Sequence, residues 1–249
     1  MDMKRINWYI LLLFCAGCSR QTETLPAWGY EYAPMETGKF IQYRVDSIVY
    51  DDYNNRADTN SYEVKYLYGR QEMDAAGQEF YRYERYERGD SSQDWTLANV
   101  SAVQIDAYRL LQVEANQRLI KLVFPLSKGK TWDGLAYIRR DTTVEIVGGS
   151  INFYKDWNEF EYTATDNPMS INGLNFEATV TVLQADANNL IERRFSKEIY
   201  AKNVGLIYKE QWILDTQCGG NLAGCINSPW ELKAEKGFIL RQRITAHNF

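Results

Sequence analysis

Histidine is almost absent: the 249 residues contain one, His247, two positions from the C-terminus. An imidazole catalyst needs a partner to orient the ring and a shell to hold it. A chain end seldom supplies either, so His-dependent catalysis and His-ligated metal sites are set aside. Five prolines and 16 glycines are too few for a disordered or collagen-like chain. No apolar stretch reaches the roughly 20 residues of a bilayer span, and a mean hydropathy of −0.47 excludes a multi-span membrane protein. Positive charge is in deficit, 28 Lys and Arg against 33 Asp and Glu, so the net charge is −5. That balance argues against a general nucleic-acid binder, which carries a basic footprint. No Gly-x-Gly-x-x-Gly and no phosphate-binding loop occurs. Aromatic side chains are plentiful, 14% with 18 tyrosines, beside an ordinary 45% of hydrophobic residues. A large core is available, and with no linker inside residues 38–249 a single domain is expected there.

The N-terminus is organised as an address. Lys4 and Arg5 precede a largely apolar segment from Ile6 to Phe14, and Cys15-Ala16-Gly17-Cys18 follows. This is the anatomy of a secretory signal, too short for a transmembrane helix. The Ala-Gly-Cys ending resembles the lipobox of bacterial lipoproteins. Carried over, that resemblance implies cleavage after Gly17, residues 1–17 as signal peptide, and lipidation of Cys18. Cys15 stands where that box usually has Leu. A plain signal cut elsewhere is the competing reading. The exported chain would carry 26 basic and 32 acidic residues, with residues 18–37 as lipidated cysteine and tether. The remaining cysteines, Cys218 and Cys225, bracket Gly-Gly-Asn-Leu-Ala-Gly. In an exported chain such a pair reads as a disulfide. A redox pair favours Cys-x-x-Cys spacing, and a thiolate zinc site needs two further ligands.

Beyond residue 38 the dominant period is two. Ile41, Tyr43, Val45 and Val49 share one face against Gln42, Arg44 and Asp46. A loop is expected at 51–60, then Tyr62, Val64, Tyr66 and Tyr68 alternate with Glu63, Lys65 and Leu67. A turn at 69–77 leads to a strand over 80–88. Further strands are expected at 108–114 and 117–124, paired around Ala115-Asn116, and at 135–147, 159–165, 175–183, 191–201, 204–214 and 238–246. Residues 101–114 also admit a helix. The expected fold is all-β: a single curved, mostly antiparallel sheet or half-barrel of about ten strands.

Chemistry-bearing groupings are few. Asp52, Asn54, Asp58, Asn60 and Glu63 have a calcium-loop composition, but Arg56 and Ala57 fall where a ligand and a glycine are required. Glu159 and Glu161, with Asp156 beside Trp157, are the one carboxylate set spaced for glycoside hydrolysis, and an exposed acidic strand face explains them equally. In residues 81–88, aromatic and charged side chains interleave: Tyr81, Tyr83, Arg85 and Glu87 on one face, Arg82, Glu84, Tyr86 and Arg88 on the other. Cross-strand pairing accounts for that pattern; ligand stacking on Tyr81, Tyr83 and Tyr86 is the functional alternative.

Two segments share a grammar. Pro34-Met-Glu-Thr-Gly38-Lys39-Phe40 and Pro125-Leu-Ser-Lys-Gly129-Lys130-Thr131-Trp132 each run from proline through Gly-Lys to an aromatic, a turn that launches a strand. A third segment, Tyr200-Ala-Lys-Asn-Val-Gly-Leu206, places two strands at a tight Lys202-Asn203 corner. Together with the lipobox these segments resemble an uncharacterised family of outer-membrane lipoproteins of Bacteroidota type, similar in shape to lipoprotein-carrier half-barrels. The resemblance implies an envelope location and a curved sheet over a concavity, and transfers no catalytic residue. The expected protein is non-enzymatic and lipid-anchored at the outer membrane. It binds an apolar ligand, a glycan or an envelope protein on its sheet, without cofactor, metal or nucleic acid. An assembly component of an outer-membrane complex and a surface glycan hydrolase are the alternatives.

Overall fold

The structure, a computed structural model, describes residues 28–114, 116–218 and 222–249. The signal segment, Cys18 and the stretch to Ala27 lie outside the described residues, as does Ala115 of the expected turn. The chain runs through β1 (Phe40–Asp51), β2 (Arg56–Met73), β3 (Glu79–Arg88), β4 (Thr96–Ile105), β5 (Arg109–Glu114) and β6 (Gln117–Val123). It continues with β7 (Thr131–Trp132), β8 (Thr143–Ile146), β9 (Gly149–Asn152), β10 (Phe160–Ile171), β11 (Leu174–Asn188), β12 (Glu192–Ala201) and β13 (Gly205–Asp215). Two short helices, α1 (Leu222–Asn227) and α2 (Trp230–Lys233), precede β14 (Lys236–His247).

The all-β expectation is met by a 12-stranded antiparallel sheet in the order β6-β5-β4-β3-β2-β1-β14-β13-β12-β11-β10-β7, with β8-β9 as a separate hairpin. Most neighbours are sequence neighbours, and the last strand closes the meander by pairing β1 along Ile41–Tyr50. Twist and bulges curl the sheet until its two ends meet. Ile120 N–H donates to Gly134 O at 3.0 Å, Trp132 Nε1–H donates to Ile120 O at 2.9 Å, and Tyr162 Oη bonds both main-chain groups of Val123. The result is a sheet nearly closed into a barrel.

The two Gly-Lys segments fold alike, as their shared grammar requires. Gly38 N–H donates to Tyr68 O and Lys39 N–H to Glu36 O; Gly129 N–H donates to Tyr162 O and Lys130 N–H to Ser127 O. Both glycines hold φ near +80°, 85° and 81° respectively, where a Cβ is strained. Phe40 and Thr131 then open their strands. Lys202-Asn203 makes the expected corner between β12 and β13, with Asn203 at φ 62°.

Several boundaries differ from the sequence reading. Residues 56–60 are strand, not loop, because Ser47–Asp51 hydrogen-bond to them and extend the β1–β2 hairpin. β2 likewise runs on to Met73, so the expected 69–77 turn shortens to the bend after it. Thr96–Ile105 is a strand that the alternation does not mark, and with β5 it leaves no helix over 101–114. Residues 135–147 do not form one strand: Leu135 is buried in a chain of turns, and only 143–146 is extended, in the β8–β9 hairpin. Residues 30–33, ahead of the expected domain start, already pack on the sheet, with Tyr32 and Ala33 buried and Asn203 N–H donating to Glu31 O. The Cys218–Cys225 disulfide is formed.

The largest core cluster lies inside the curl and joins Tyr68, Tyr83, Leu119, Leu122, Trp132, Trp157, Phe160 and Tyr162. A second gathers Ile41, Tyr43, Phe176, Ile199, Ile207 and Ile244 at the end where β12 turns into β13. A third, Tyr50, Leu214, Trp230 and Ile239, is covered by α2.

Candidate functional site inside the curled sheet

Cross-strand register fixes what points inward. Lys209 pairs with Glu198, and Gln211 with Ser196, between β13 and β12. The opposite wall comes from β5 and β6, where the register slips between Leu110 and Leu111 so that Lys121 is the extra residue. A bulge re-aims a side chain, and this one sends Lys121 across the interior to Glu198 Oε1 at 2.5 Å and Glu114 Oε1 at 2.9 Å. Lys209 lies 3.1 Å from Glu114 Oε2 and 3.8 Å from Glu198 Oε1. Tyr200 Oη–H donates to Glu198 Oε2 at 2.7 Å. Side-chain exposure falls from 33% at Glu114 through 15% at Lys209 to 2% at Lys121 and 0% at Glu198, so the cluster reaches from solvent into the core.

Electrostatics follows from that burial. Burial alone would raise the Glu114 carboxyl, but Lys121 and Lys209 hold it well below the usual carboxylate range. Burial alone would lower Lys209, yet Glu114 and Glu198 keep its ammonium above its ordinary value. Burial, reinforced by Glu198, pushes the Tyr200 hydroxyl far up. Beside the cluster, Arg85 ion-pairs with Glu87, and a shallow open recess of about 480 Å³ is lined by Ser47, Asn60, Tyr62 and Glu87.

Next to Lys121 and Lys209 lies a cavity of about 150 Å³, walled by Leu119, Phe153, Tyr154 and Trp157 and edged by Gln117, Gln184 and Gln211. Gln184 is again the extra residue of a bulge, between Leu183 and Ala185 of β11. Its Oε1 accepts from Ser196 Oγ at 2.7 Å. Tyr154 Oη donates to Gln117 Oε1 at 2.6 Å, and burial followed by the nearby Glu114 charge pushes that hydroxyl up to about 12. Val144 of the β8–β9 hairpin also lines the cavity.

The residues singled out from sequence fall elsewhere or apart. Tyr83 is buried, stacked on Tyr66 at 4.9 Å with 13° between the rings; Tyr81 meets Tyr68 edge-on at 6.2 Å. Tyr86 lies on the opposite face, under Lys65 Nζ at 4.9 Å, with its hydroxyl on Glu84. The three rings therefore form no common platform. Trp157 lines the cavity, whereas Asp156 and Glu159 are exposed and Glu161 points away from buried Phe160 and Tyr162. Asp51 accepts from Asn54 N and Nδ2 in the β1–β2 turn. Among the described residues no cluster of His, Cys, Asp or Glu suits a metal ion. His247 packs beside Phe176, and burial lowers its imidazole pKa. Sequence reasoning missed Lys121, Glu198 and Lys209. The available signal was a charged residue inside an otherwise apolar strand, as in Leu119-Ile-Lys-Leu-Val123 and Glu198-Ile-Tyr-Ala201.

No family model matches the chain, and neither does any curated protein. Two solved structures are similar. One is a "putative lipoprotein" from Parabacteroides distasonis, with 8% identity over 87% of this chain and 98% of that one and a TM-score of 0.43. The other is a "putative exported protein with YmcC-like fold" from Bacteroides fragilis, with 11% identity over 86% and 98% and a TM-score of 0.40. At that identity no residue role transfers from either protein.

Proposed function

We propose that this chain is a lipid-anchored envelope protein that acts by binding, not by catalysis, and holds a compact ligand inside its curled sheet. One observation carries the reading. Four ionisable side chains and three glutamines are gathered inside the curled sheet, beside a cavity walled by Leu119, Phe153, Tyr154 and Trp157. Buried ion pairs are weak contributors to stability, since well-packed apolar residues of similar volume serve as well or better. Lys121 and Gln184 each reach this interior through a bulge, the device by which a strand re-aims one side chain. The size of the cavity supports a small occupant over an acyl chain: about 150 Å³ falls below the roughly 300–1,000 Å³ of sites for drug-sized ligands. The N-terminal sequence supports anchoring through Cys18, and two or more acyl chains would hold it stably. Native mass spectrometry of the chain released gently from its envelope tests both parts. Acylated Cys18 and a retained small mass are expected; an unmodified N-terminus and a bare polypeptide would overturn the anchor and the binding reading respectively.

The edge of β4 favours the assembly reading as a second role. Residues 96–102 pair with β3 on one side, while β5 joins β4 only from Val103 onward. The free edge of β10 is broken by Pro168 and three register slips, but 96–102 carries no proline, glycine or charge, the usual protections of an edge. A bulge at Ala98 turns Leu97 and Val100, 46% and 39% exposed, to the same face. A second copy in antiparallel register would set each Leu97 opposite the other Val100. Val100→Lys should then abolish any dimer seen by sedimentation, and a wild-type chain monomeric at all concentrations would refute it.

A further inference from the structure

Trp28, Tyr30 and Tyr108 form an exposed aromatic patch where the described chain begins. Trp28 stacks on Tyr30 with ring centres 5.8 Å apart and 4° between the planes, and Tyr108 leans on Trp28 at 6.3 Å. The three side chains are nonetheless 45%, 38% and 63% exposed. A single exposed ring needs no explanation, whereas contiguous ones mark an interaction surface. The patch is also fixed in place. Tyr30 Oη–H donates to Ala107 O at 2.8 Å, its ring packs on Phe124 at 4.6 Å, and Leu126 N–H donates to Trp28 O at 3.3 Å. Groups already held in position lose little freedom on binding.

Position and charge name the occupant. Ten residues separate Trp28 from Cys18, a reach of at most about 36 Å when fully extended. With Cys18 acylated, the patch stays within that distance of the bilayer. Tethering of this kind makes docking intramolecular, so a small contact area suffices. Three segments build the patch: 28–30, 106–109 and 124–130. Their charged residues are Asp106, Arg109, Lys128 and Lys130, a local excess of positive charge in a chain of net −5. Asp106 is occupied by Arg109 at 2.6 Å, Lys130 Nζ donates to the Phe124 and Pro125 carbonyls, and Lys128 is exposed. Trp and Tyr rings favour the headgroup level of a bilayer, where the ring meets apolar atoms and its polar edge stays wet. Lysine and arginine beside anionic headgroups add attraction.

We infer that this patch docks the domain on the headgroup layer of the bilayer that holds Cys18, with Trp28 and Tyr108 inserted and Lys128 over anionic headgroups. The inference rests on the anchoring part of the reading above and is independent of interior binding.

The test uses the acylated mature chain, reconstituted in vesicles of phosphatidylethanolamine and phosphatidylglycerol that carry phosphatidylcholine brominated at acyl carbons 6,7 or 11,12. The emission difference between the native chain and Trp28→Phe isolates Trp28. The expected result is quenching of Trp28 by lipid bromine, stronger from the shallower pair, with protection from acrylamide in the water. Tyr108→Glu combined with Lys128→Glu reverses the local charge at two exposed side chains. It should cut the lipid quenching about twofold or more while flotation with the vesicles persists, and the far-ultraviolet spectrum checks that each variant is folded. Undiminished quenching in the folded double variant overturns the role of the patch. A chain that floats with the vesicles but whose Trp28 is quenched by acrylamide and not by bromine overturns docking and leaves anchoring intact. Trp28 shielded from both quenchers assigns the patch to protein rather than lipid and overturns docking as well. A chain that does not float overturns the anchor and docking with it.

Discussion

Lys121→Met strips the interior of one cation and leaves the rest of the sheet in place. Glu198, fully buried, then keeps only Tyr200 Oη at 2.7 Å and Lys209 at 3.8 Å. Stranding a buried charge by removing its partner costs about 3–5 kcal/mol. The lower end applies because Lys209 remains, so about 3 kcal/mol is expected. With a urea m-value of about 2–3 kcal/mol/M the unfolding midpoint falls by roughly 1–1.5 M, and the melting temperature drops by about 6–12 °C. Methionine nearly matches the lysine stem in volume, so packing loss is small and the deficit reports the charge. The double variant Lys121→Met, Glu198→Met should recover most of it, to within about 1 kcal/mol of the native chain, because a pair removed together leaves nothing stranded. Equilibrium urea unfolding by tryptophan fluorescence at pH 7 reads both. A single variant within 1 kcal/mol of native, or a double variant worse than the single, would refute the reasoning.

Glu114→Gln should flatten the acid limb of the stability curve. The folded carboxyl sits below its unfolded value, so its contribution is present above the unfolded pKa and disappears as pH falls through the folded one; denaturation monitored from pH 6 downward should show a shallower loss in the variant. Lys209 has the opposite sign. Its ammonium is held above the ordinary value, so its contribution is full below that value and is lost only as strongly alkaline pH passes through the folded pKa. Gly237→Ala should cost about 3 kcal/mol or more, because its φ is +110° and a Cβ would stand 1.9 Å from Ile213 O. Gly38→Ala, at φ +85° with open space around it, should cost only about 1 kcal/mol; equal melting temperatures for the two would contradict the packing of β14 on β13. Reducing Cys218–Cys225 should cost about 2 kcal/mol for so short a loop.

The sheet was legible where alternation is strict, as in Tyr62-Glu-Val-Lys-Tyr66 and residues 81–88, and at the two Gly-Lys turns. It was obscured where a bulge breaks the period. In β4 the extra residue Ala98 puts Leu97 and Val100 on one face at a spacing of three, so the period of two that marks a strand is absent there. Residues 56–60, polar enough to read as a loop, are drawn into strand by their partners in β1, a tertiary effect outside local sequence. The interior site was hidden for the same reason as β4. Lys121 and Gln184 face the cavity through bulges, and a bulge is a relation between two strands distant in the chain.

Binding inside the curled sheet is decided by a crystal structure of the chain purified gently from its own envelope. Electron density for a small molecule among Leu119, Phe153, Tyr154 and Trp157 is expected. A cavity closed by rearranged side chains or holding water alone would rule out interior binding.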